Sequence, residues 1–221
     1  MRYLFTVILL GFALGVPSAE AQELETMEKN ISLPVPRLEG EISLEEAIVQ
    51  RRSKRSFRPQ ELTLAQIGQL LWSAQGITET ESGYRAAPSA GARYPMEIYI
   101  VKSDGLFHYL PRGHKLEQLL PKDMRSQLAA ACLGQGFVAQ APVSIVIAAV
   151  YERITSHYGS RGERYTDIEV GHIAQNVHLQ AVALGLGSVP VGAFDDQAVK
   201  AVLQLPDKEQ PLYVIPIGYP R

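Results

Sequence analysis

The feature that most constrains the fold of this 221-residue chain is the apolar run over residues 143–150. The run has the length of a strand, and a strand that is apolar on both faces is typical of one covered on both sides of its sheet. We therefore predict a central strand here. Residues 97–102 and 106–110 alternate between polar and apolar side chains on either side of Asp104 and Gly105, which indicates a β-hairpin.

Helical patterns alternate with the strands. Residues 43–46 and 63–66 have the capping-box pattern, in which a Ser or Thr is followed three positions later by Glu or Gln. The second of these helices is predicted to end near Gly76. A further helical pattern covers residues 123–133.

The longest helix is predicted to have Asp167 as its N-cap, because apolar residues recur at helical spacing from there until Gly185. Asp195 is predicted to cap another helix, between short strands at 188–191 and 212–217. The helices and strands alternate without a regular βαβ repeat. The predicted fold is therefore an α+β sandwich with a mostly antiparallel central sheet flanked by helices.

The first 21 residues have the pattern of a secretory signal peptide. Arg2 precedes an apolar stretch over residues 4–16, and Ala19-Glu20-Ala21 has the small-x-small pattern of a cleavage site. An uncleaved membrane anchor is the alternative, but a span needs about 20 apolar residues. We expect an exported protein, periplasmic or secreted, with no stable membrane span after cleavage.

The rest of the chain is predicted to hold one domain. The charges and prolines of residues 22–41 show no periodicity and predict an extended linker. Residues 42–221 have the length of a single globular domain. The composition of the whole chain, with 46% hydrophobic and 20% charged residues, is also that of a globular protein.

Several kinds of site have no support in the sequence. The chain has no Gly-x-Gly-x-x-Gly after a strand, no P-loop and no Gly-x-Ser-x-Gly elbow. His172 and His178 are six positions apart, which puts them on different faces of a helix, and we predict no metal site. Cys132 is the only cysteine and lies in an apolar stretch, which favours a buried side chain over a catalytic thiol.

Residues 51–58, called here the basic segment, hold five of the 21 Lys and Arg residues of the chain. A guanidinium group can bind phosphate oxygens through two N–H groups at once, and a serine hydroxyl adds a neutral donor. The segment therefore suits a phosphate monoester. A solvated loop, a localisation signal or a nucleic-acid patch would also explain it. The formal net charge of −2 argues against a polyanion, so we expect no nucleic-acid partner.

Two loops are built from small residues. Residues 88–92 read Pro-Ser-Ala-Gly-Ala, and residues 189–193 read Val-Pro-Val-Gly-Ala. Small residues let backbone N–H groups approach a planar ligand closely. Together with the basic segment, the loops predict a phosphorylated planar cofactor held mainly by backbone and arginine.

Four segments, in this order along the chain, resemble the nitroreductase superfamily, and most closely its SagB-type dehydrogenases, a thiazole/oxazole-forming-like branch. They cover residues 51–57 and 87–95, the stretch from Glu163-Arg164-Tyr165 into residues 169–176, and residues 185–195. The likeness runs from about Ile42 to Tyr219. It implies a nitroreductase-like sandwich and an FMN enzyme, usually a homodimer with two active sites at the subunit interface.

The resemblance also implies roles for individual residues. By it, the phosphate, ribityl chain and pyrimidine edge of FMN would be held by Arg51, Arg52, Ser53 and Arg55. The loop that would reach the flavin from the partner subunit is Pro88, Ser89, Ala90 and Gly91. The residues that would line the isoalloxazine, with the Gly192 N–H near N5, are Pro190, Val191, Gly192 and Ala193. Lys54 and Arg58 are expected to be ordinary solvated charges.

The resemblance implies an FMN-dependent oxidoreductase that works by ping-pong hydride transfer through flavin N5. Two reactions are open. One is reduction of nitro compounds or quinones with NADH or NADPH as the electron donor, and the other is SagB-type dehydrogenation of a heterocycle, so the substrate is a small molecule or a peptide heterocycle. A flavin-binding or cofactor-free, non-catalytic binding protein on the same scaffold is the alternative.

Two positions depart from the family pattern. Azoline-oxidising relatives use a Lys-Tyr pair, whereas this chain has Arg164-Tyr165, so Tyr165 is the candidate proton-handling residue. Many relatives place a basic residue well beyond the Gly-Tyr-Pro sequence, and here Arg221 is the candidate for that position. Residues 154–162 are predicted to form a lid that shapes the substrate pocket.

Overall fold

A computed structural model describes residues 30–221, so the predicted signal peptide and residues 22–29 of the predicted linker lie outside the described residues. The strands are β1 (Asn30–Ser32), β2 (Ile77–Glu79), β3 (Tyr84–Arg85), β4 (Met96–Lys102), β5 (Gly105–Leu110), β6 (Lys115–Leu120), β7 (Val143–Ala149), β8 (Gly187–Ser188) and β9 (Gln210–Gly218). The α-helices are α1 (Leu44–Gln50), α2 (Leu64–Gln75), α3 (Arg125–Ala131), α4 (Gly136–Gln140), α5 (Glu152–Tyr158), α6 (Arg161–Ala183) and α7 (Asp196–Leu203).

Seven strands form one sheet in the order β1-β6-β5-β4-β7-β9-β8, and every neighbouring pair is antiparallel. β7 is buried along its whole length between β4 and β9, which confirms the predicted central strand. The β4–β5 hairpin is also confirmed, with Lys102 paired to Gly105. Glycine is required at this turn because a Cβ on Gly105 would lie 2.3 Å from the Leu120 carbonyl oxygen.

Helices cover both faces of this sheet. On one face, α2 and α6 pack against apolar side chains of the central strands such as Ile98 and Ile145. On the other face, α3 and α7 pack against side chains such as Val101 and Val146. Cys132 is fully buried in this second core, and burial raises the pKa of its thiol to about 11, so it is a structural residue. The predicted α+β sandwich with a mostly antiparallel central sheet is confirmed.

Three of the predicted helix starts are confirmed. Ser43 caps α1 by accepting the Glu46 N–H at 3.1 Å. Thr63 begins α2 with a reciprocal capping box to the side chain and backbone of Gln66. Asp195 caps α7. In each case a short polar side chain satisfies a backbone N–H that has no partner inside its helix.

The prediction that Asp167 caps the longest helix is wrong. α6 begins six residues earlier, at Arg161. Asp167 lies inside the helix, and its carboxylate accepts a hydrogen bond from the Tyr151 hydroxyl at 2.8 Å. The added residues pack tightly on α5 through Gly162, where a Cβ would lie 2.7 Å from Ile154. Most of the segment predicted as a lid is therefore helical.

The strands β1 and β6 were not predicted. β1 falls in the predicted linker and pairs with β6 at the edge of the sheet. Leu33, which follows it, is buried in the core. Farther along, the Arg37 N–H donates to Oε1 of Gln69 at 2.8 Å, and the Gln69 side-chain amide donates back to the Arg37 carbonyl oxygen at 3.0 Å. The described part of the predicted linker thus lies on the body of the domain.

Candidate functional site

The basic segment lies beside β8 at the edge of the sheet. Ser53 is exposed and forms a parallel bridge with Ser188, and the Lys54 N–H donates to the Ser188 carbonyl oxygen at 3.0 Å. Gly187 permits this approach, since a Cβ there would lie 2.8 Å from the Lys54 Cβ. The basic segment is therefore held next to the strand that leads directly into the small-residue loop 189–193.

Arg51 is oriented by His178 of α6. Nη1 of Arg51 lies 3.1 Å from Nε2 of His178, and Nδ1 of His178 lies 2.6 Å from Oγ of Ser188. A guanidinium can only donate, so Nε2 accepts, and the neutral ring donates its Nδ1 proton to Ser188. Burial and the charge of Arg51 lower the pKa of His178 to about 4, which keeps the ring neutral near pH 7. Arg51 is thus fixed at one nitrogen and retains further N–H donors for an anion.

Arg52 and Arg55 have different surroundings. Nη1 of Arg52 donates to the carbonyl oxygens of Val49 at 2.9 Å and Arg51 at 2.7 Å, where it stabilises the C-terminal end of α1. The Arg55 guanidinium is exposed and lies 5.9 Å from the centre of the Phe137 ring, within range of a cation–π contact. Arg55 therefore presents its N–H donors to solvent, whereas Arg52 uses its donors to stabilise the C-terminal end of α1.

The last residues of the chain lie along the other side of the basic segment. Phe57 and Pro220 form an antiparallel bridge, and the Arg221 N–H donates to the Ser56 carbonyl oxygen at 3.2 Å. These contacts place Arg221 beside the predicted phosphate ligands.

The loop 189–193 is anchored at both ends. Val191 exchanges backbone hydrogen bonds with Val214 at 2.8 and 3.0 Å, and the Ala193 carbonyl oxygen accepts from the Gln135 amide at 2.9 Å. Between these anchors Gly192 is exposed, and its N–H donates to no other group of the described residues. A backbone N–H that is held rigidly and has no partner is a ready donor for a ligand.

The loop of residues 88–91 lies elsewhere, against α5 and the first half of α6. Gly91 has a φ of 59°, and a Cβ on it would lie 2.7 Å from the Tyr158 hydroxyl. Both the left-handed backbone and this close approach require glycine. The Ser89 hydroxyl oxygen accepts the Tyr94 N–H at 2.9 Å, which closes the loop on itself.

This loop and the basic segment occupy different points along α6. Ser89 lies beside Glu169, whereas Arg51 lies beside His178. The two α6 positions are nine residues apart, which is about 13 Å along a helix axis. Within the part of the chain that the structure describes, no hydrogen bond joins the loop to the basic segment or to the loop 189–193. The described residues therefore bring together two of the three predicted site regions.

Tyr165 belongs to the same corner as the loop 88–91. Its ring is half-buried and meets the Tyr158 ring edge-on, with the ring centres 5.3 Å apart. Tyr158 in turn contacts Gly91, and Tyr165 lies one helical turn before Glu169 on the same face of α6. The predicted proton-handling residue is thus remote from the basic segment of the same chain.

A buried polar cluster beneath this loop was not predicted. Glu169 is 2% exposed, and its Oε1 accepts from the Gln75 amide at 3.4 Å. Arg85 donates to Oε1 of Gln75 at 3.1 Å. Oε2 of Glu169 has no hydrogen-bond partner among the described residues. Burial raises the pKa of Glu169 to about 7, although Ser89, Gln75 and Arg85 oppose the shift.

Both unpredicted site residues carried a signal in the sequence. Glu169 stands at helical spacing among the apolar residues of α6, and a charged residue on a buried helix face is rare unless it has a role. His178 carries the same signal, because it too stands among the buried positions of α6. Among the described residues, no three His, Cys, Asp or Glu side chains converge on a metal site. In the same part of the chain, no helix is long and apolar enough to span a membrane.

Comparison with known proteins places this site in a family. The model described as "Nitroreductase family" matches residues 48–219. A Methanocaldococcus jannaschii protein, provisionally named a nitroreductase, is 43% identical over 198 residues, which cover 87% of this chain and 98% of the relative. A crystal structure from Ralstonia eutropha JMP134, also provisionally named a nitroreductase, has a TM-score of 0.80 and 31% identity, covering 89% of this chain and 91% of that one.

A more distant relative is the trifolitoxin-processing protein TfxB of Rhizobium leguminosarum bv. trifolii. It is 30% identical over 165 residues, which cover 66% of this chain and 44% of the relative. The family model spans most of the chain, and the Methanocaldococcus relative is matched over nearly its whole length. The chain therefore belongs to the nitroreductase family and is an oxidoreductase of that family.

Proposed function

We propose that the protein is an FMN-dependent oxidoreductase and that FMN binds where the basic segment meets the loop 189–193. The observation that carries this proposal is the juxtaposition of Arg51, oriented by a neutral buried histidine, with the partnerless N–H of Gly192 on a neighbouring loop. Sites of this family typically hold FMN. The donors present here match its anionic phosphate and its hydrogen-bonding ring.

The residues on the two segments fit the two ends of the cofactor. Arg51, Ser53 and Arg55 offer charged and neutral donors to a phosphate, and Arg221 adds a nearby cation. Arg52 keeps its contacts with the end of α1, so we assign it a supporting role. Pro190, Val191 and Ala193 flank the Gly192 donor with small apolar surfaces suited to a flat ring.

FMN, when bound, supplies a redox centre that accepts and passes on a hydride in a ping-pong cycle. The chain's own residues bind and orient it. His178 holds Arg51 without adding a charge of its own, and Gly192 offers its N–H from a loop pinned to β9. Tyr165 is the side chain that we assign to holding or delivering a proton at its hydroxyl oxygen, because a phenol can both donate and accept.

We also propose a homodimer with two shared sites. Within one subunit, residues 88–91 and Tyr165 lie far from the basic segment. They can therefore contribute only to the FMN site formed by the basic segment of the partner subunit. α1 presents apolar side chains to solvent, and Leu44, Ile48 and Val49 are 61%, 53% and 71% exposed. An exposed apolar face of this kind is typical of a surface that a second copy covers.

Two substrate classes fit the proposed site. The name of the Methanocaldococcus relative supports reduction of nitro compounds. The family resemblance implies quinones as further substrates and NADH or NADPH as the electron donor. The trifolitoxin-processing relative is named only for the processing of trifolitoxin. The second class, SagB-type dehydrogenation of a heterocycle in a peptide, is what the family resemblance implies. The two differ in the source of electrons, since a nicotinamide donates them in the first reaction and the substrate itself donates them in the second.

The test is an absorbance spectrum of FMN-loaded protein under anaerobic conditions. Bleaching by NADH or NADPH supports the reductase, and bleaching by an azoline-containing peptide supports the dehydrogenase. Bound FMN that neither class reduces would favour a non-catalytic flavin-binding protein. Failure of the protein to bind FMN at all would refute the proposal.

We further propose export, on the pattern of residues 1–21. Intact mass measurement of protein from cell fractions tests this. Mature protein beginning at Gln22 in the periplasm or medium is the expected result. Uncleaved protein confined to the cytoplasm would contradict it.

A further inference from the structure

Tyr94 follows the loop 88–91 and has a backbone conformation that needs support from its neighbours. Its φ is 47°, in the left-handed region that residues other than glycine rarely adopt. Its N–H donates to Oγ of Ser89 at 2.9 Å, and its carbonyl oxygen accepts from Nη1 of Arg153 at 3.1 Å. Both polar groups of the Tyr94 backbone are therefore held by side chains.

The Tyr94 side chain is held separately, by Arg85 of β3. The Tyr94 hydroxyl oxygen accepts the Arg85 N–H at 3.1 Å, and the Arg85 guanidinium lies 4.4 Å from the centre of the Tyr94 ring, within range of a cation–π contact. These contacts do not use the Tyr94 carbonyl oxygen. Among the described residues, the hold on that oxygen comes from Arg153.

Arg153 joins the Tyr94 carbonyl to the central sheet. Its Nη2 donates to Oε1 of Glu97, and Oε2 of Glu97 lies 2.8 Å from Nε2 of His108. Glu97 lies on β4, where it pairs with Ala148 of the buried strand β7. A guanidinium can hold two acceptors at once because its N–H groups form a rigid planar fork. Arg153 therefore ties the end of the loop to the sheet.

Two further residues of α5 lie against the same segment. The Tyr158 hydroxyl lies close to Gly91, as described above, and Nδ1 of His157 lies 3.3 Å from Nη2 of Arg93. Arg153 and His157 are four positions apart, so they lie on one face of the helix. α5 thus meets the segment at three points, and Arg153 is the point that also reaches the sheet.

We propose that Arg153 is a positioning residue of the FMN site, which holds the loop 88–91 in the conformation that reaches the ligand. The inference rests on the proposed function, in which this loop contacts the FMN of the partner subunit. Arg153 acts through the Tyr94 carbonyl oxygen and needs no contact with the ligand. A loop that is already ordered loses less conformational entropy when it meets the ligand, so the binding is tighter.

The first test compares the FMN affinity of wild type, Arg153→Ala and Arg112→Ala, with circular dichroism to confirm folding. We expect Arg153→Ala to raise the Kd about tenfold, because ordering the loop then costs part of the binding free energy. Arg112→Ala is the matched control, since Arg112 is exposed in the turn between β5 and β6 and its loss removes one positive charge away from the loop. Arg153→Lys keeps the charge without the fork, and it gives the same comparison if Arg153→Ala does not fold. Unchanged FMN affinity in the folded variant would overturn the proposal.

The second test asks whether Glu97 acts through Arg153. Glu97→Ala should weaken FMN binding because Arg153 loses its anchor, whereas Glu97→Gln keeps an acceptor oxygen for Nη2 and should restore most of the affinity. Glu97 also pairs with His108, so Glu97→Ala is measured in both the wild-type and the Arg153→Ala background. We expect a smaller effect in the second background. Equal effects in the two backgrounds would contradict the positioning role of the pair.

The third test needs no FMN. The N–H groups of Ala92, Arg93 and Tyr94 donate to groups of residues 89 and 90, so their hydrogen–deuterium exchange reports opening of the loop. Peptides covering residues 88–94 should exchange about tenfold faster in Arg153→Ala than in wild type or Arg112→Ala. If wild type binds no FMN, the proposed function fails, while the exchange rates still decide whether Arg153 holds the loop. Wild-type exchange rates in Arg153→Ala would overturn the inference.

Discussion

At the scale of single residues, Arg51 takes its orientation from His178, and His178 takes its tautomer from Ser188. A guanidinium that is already aligned loses little side-chain entropy when an anion binds. Because the supporting histidine is neutral, its Nε2 can accept from Arg51, and it adds no positive charge that would repel the guanidinium. The basic segment thus contains one preorganised arginine among several solvated charges.

Replacing Arg51 with Ala should weaken FMN binding by about 10- to 100-fold, the cost of a charge-assisted hydrogen bond. Fluorescence quenching on titration with FMN measures the Kd. Lys54→Ala is the matched control, because it removes one positive charge from the same segment and keeps the Cβ that rests on Gly187. Equal effects of the two substitutions would show that the basic segment is a solvated charged loop and not a specific phosphate site.

His178→Gln should change the pH dependence of stability. The pKa of His178 is about 4 in the folded protein and about 6.5 when unfolded, so between these values the unfolded chain binds the extra proton. The wild-type free energy of unfolding should therefore fall, relative to the variant, by about 3 kcal/mol as the pH drops from about 6.5 toward 4.

Urea denaturation of both proteins at several pH values gives this difference, and titrations common to both proteins cancel. Glutamine can accept from Arg51 and donate to Ser188, so the variant keeps the local hydrogen bonds. Parallel pH profiles for the two proteins would show that folding does not lower the pKa of His178.

At the scale of secondary-structure elements, β8 is the part that assembles the site. It is two residues long, yet the basic segment runs along one side of it and β9 along the other. Gly187 sets the distance on the side of the basic segment. A short strand without side-chain bulk thus joins residues that are more than 130 positions apart in the sequence.

Gly187→Ala should push the basic segment away from β8, because the new methyl group would meet the Lys54 Cβ at 2.8 Å. Weaker FMN binding with an intact fold is the expected result, measured by fluorescence titration and circular dichroism. Gly171→Ala is the matched control, since its Cβ meets nothing within 4 Å on the same long helix that carries His178. A Gly187→Ala protein that binds FMN normally would show that the segment can shift freely.

Local sequence patterns predicted most helices and strands, but they did not predict which distant elements pair. The strand over 143–150 and the capping residues Thr63 and Asp195 depend on neighbours in the sequence, so periodicity and capping rules found them. β1 and β6 were not predicted, because each is stabilised by pairing with another segment of the chain. The early start of α6 was not predicted, because its first turn is supported by close packing on α5 through Gly162 and not by a capping residue.

The candidate site was predictable to a similar extent. Its arginines and small-residue loops were visible as composition. The orientation of Arg51 depends on a histidine 127 positions away, and the buried state of Glu169 depends on three separate elements closing around it. Such contacts exist only once the chain has folded, so no local pattern encodes them.

At the scale of the whole molecule, the described part of the chain carries an incomplete version of the proposed site. The basic segment and the loop 189–193 lie together, and the loop 88–91 faces away with Tyr165. In the proposed dimer, FMN binding and subunit association depend on each other, because the ligand contacts both chains. Weakening one should weaken the other.

Val49→Glu should convert the proposed dimer to a monomer and reduce FMN affinity, because it places a charge on the exposed apolar face of α1. Analytical ultracentrifugation and FMN titration measure the two effects. Leu133→Glu is the matched control, since Leu133 is 67% exposed on the opposite side of the sheet, next to α3. A Val49→Glu protein with unchanged mass in solution would show that α1 is not the interface.

The pairing of β1 with β6 also determines how this chain can be shortened. β6 would be the outermost strand of the sheet without β1, and its open backbone would invite pairing with another molecule. Leu33 would leave the core in the same truncation. A recombinant protein cut at the start of α1 should therefore aggregate at concentrations where one that begins before Asn30 stays dispersed.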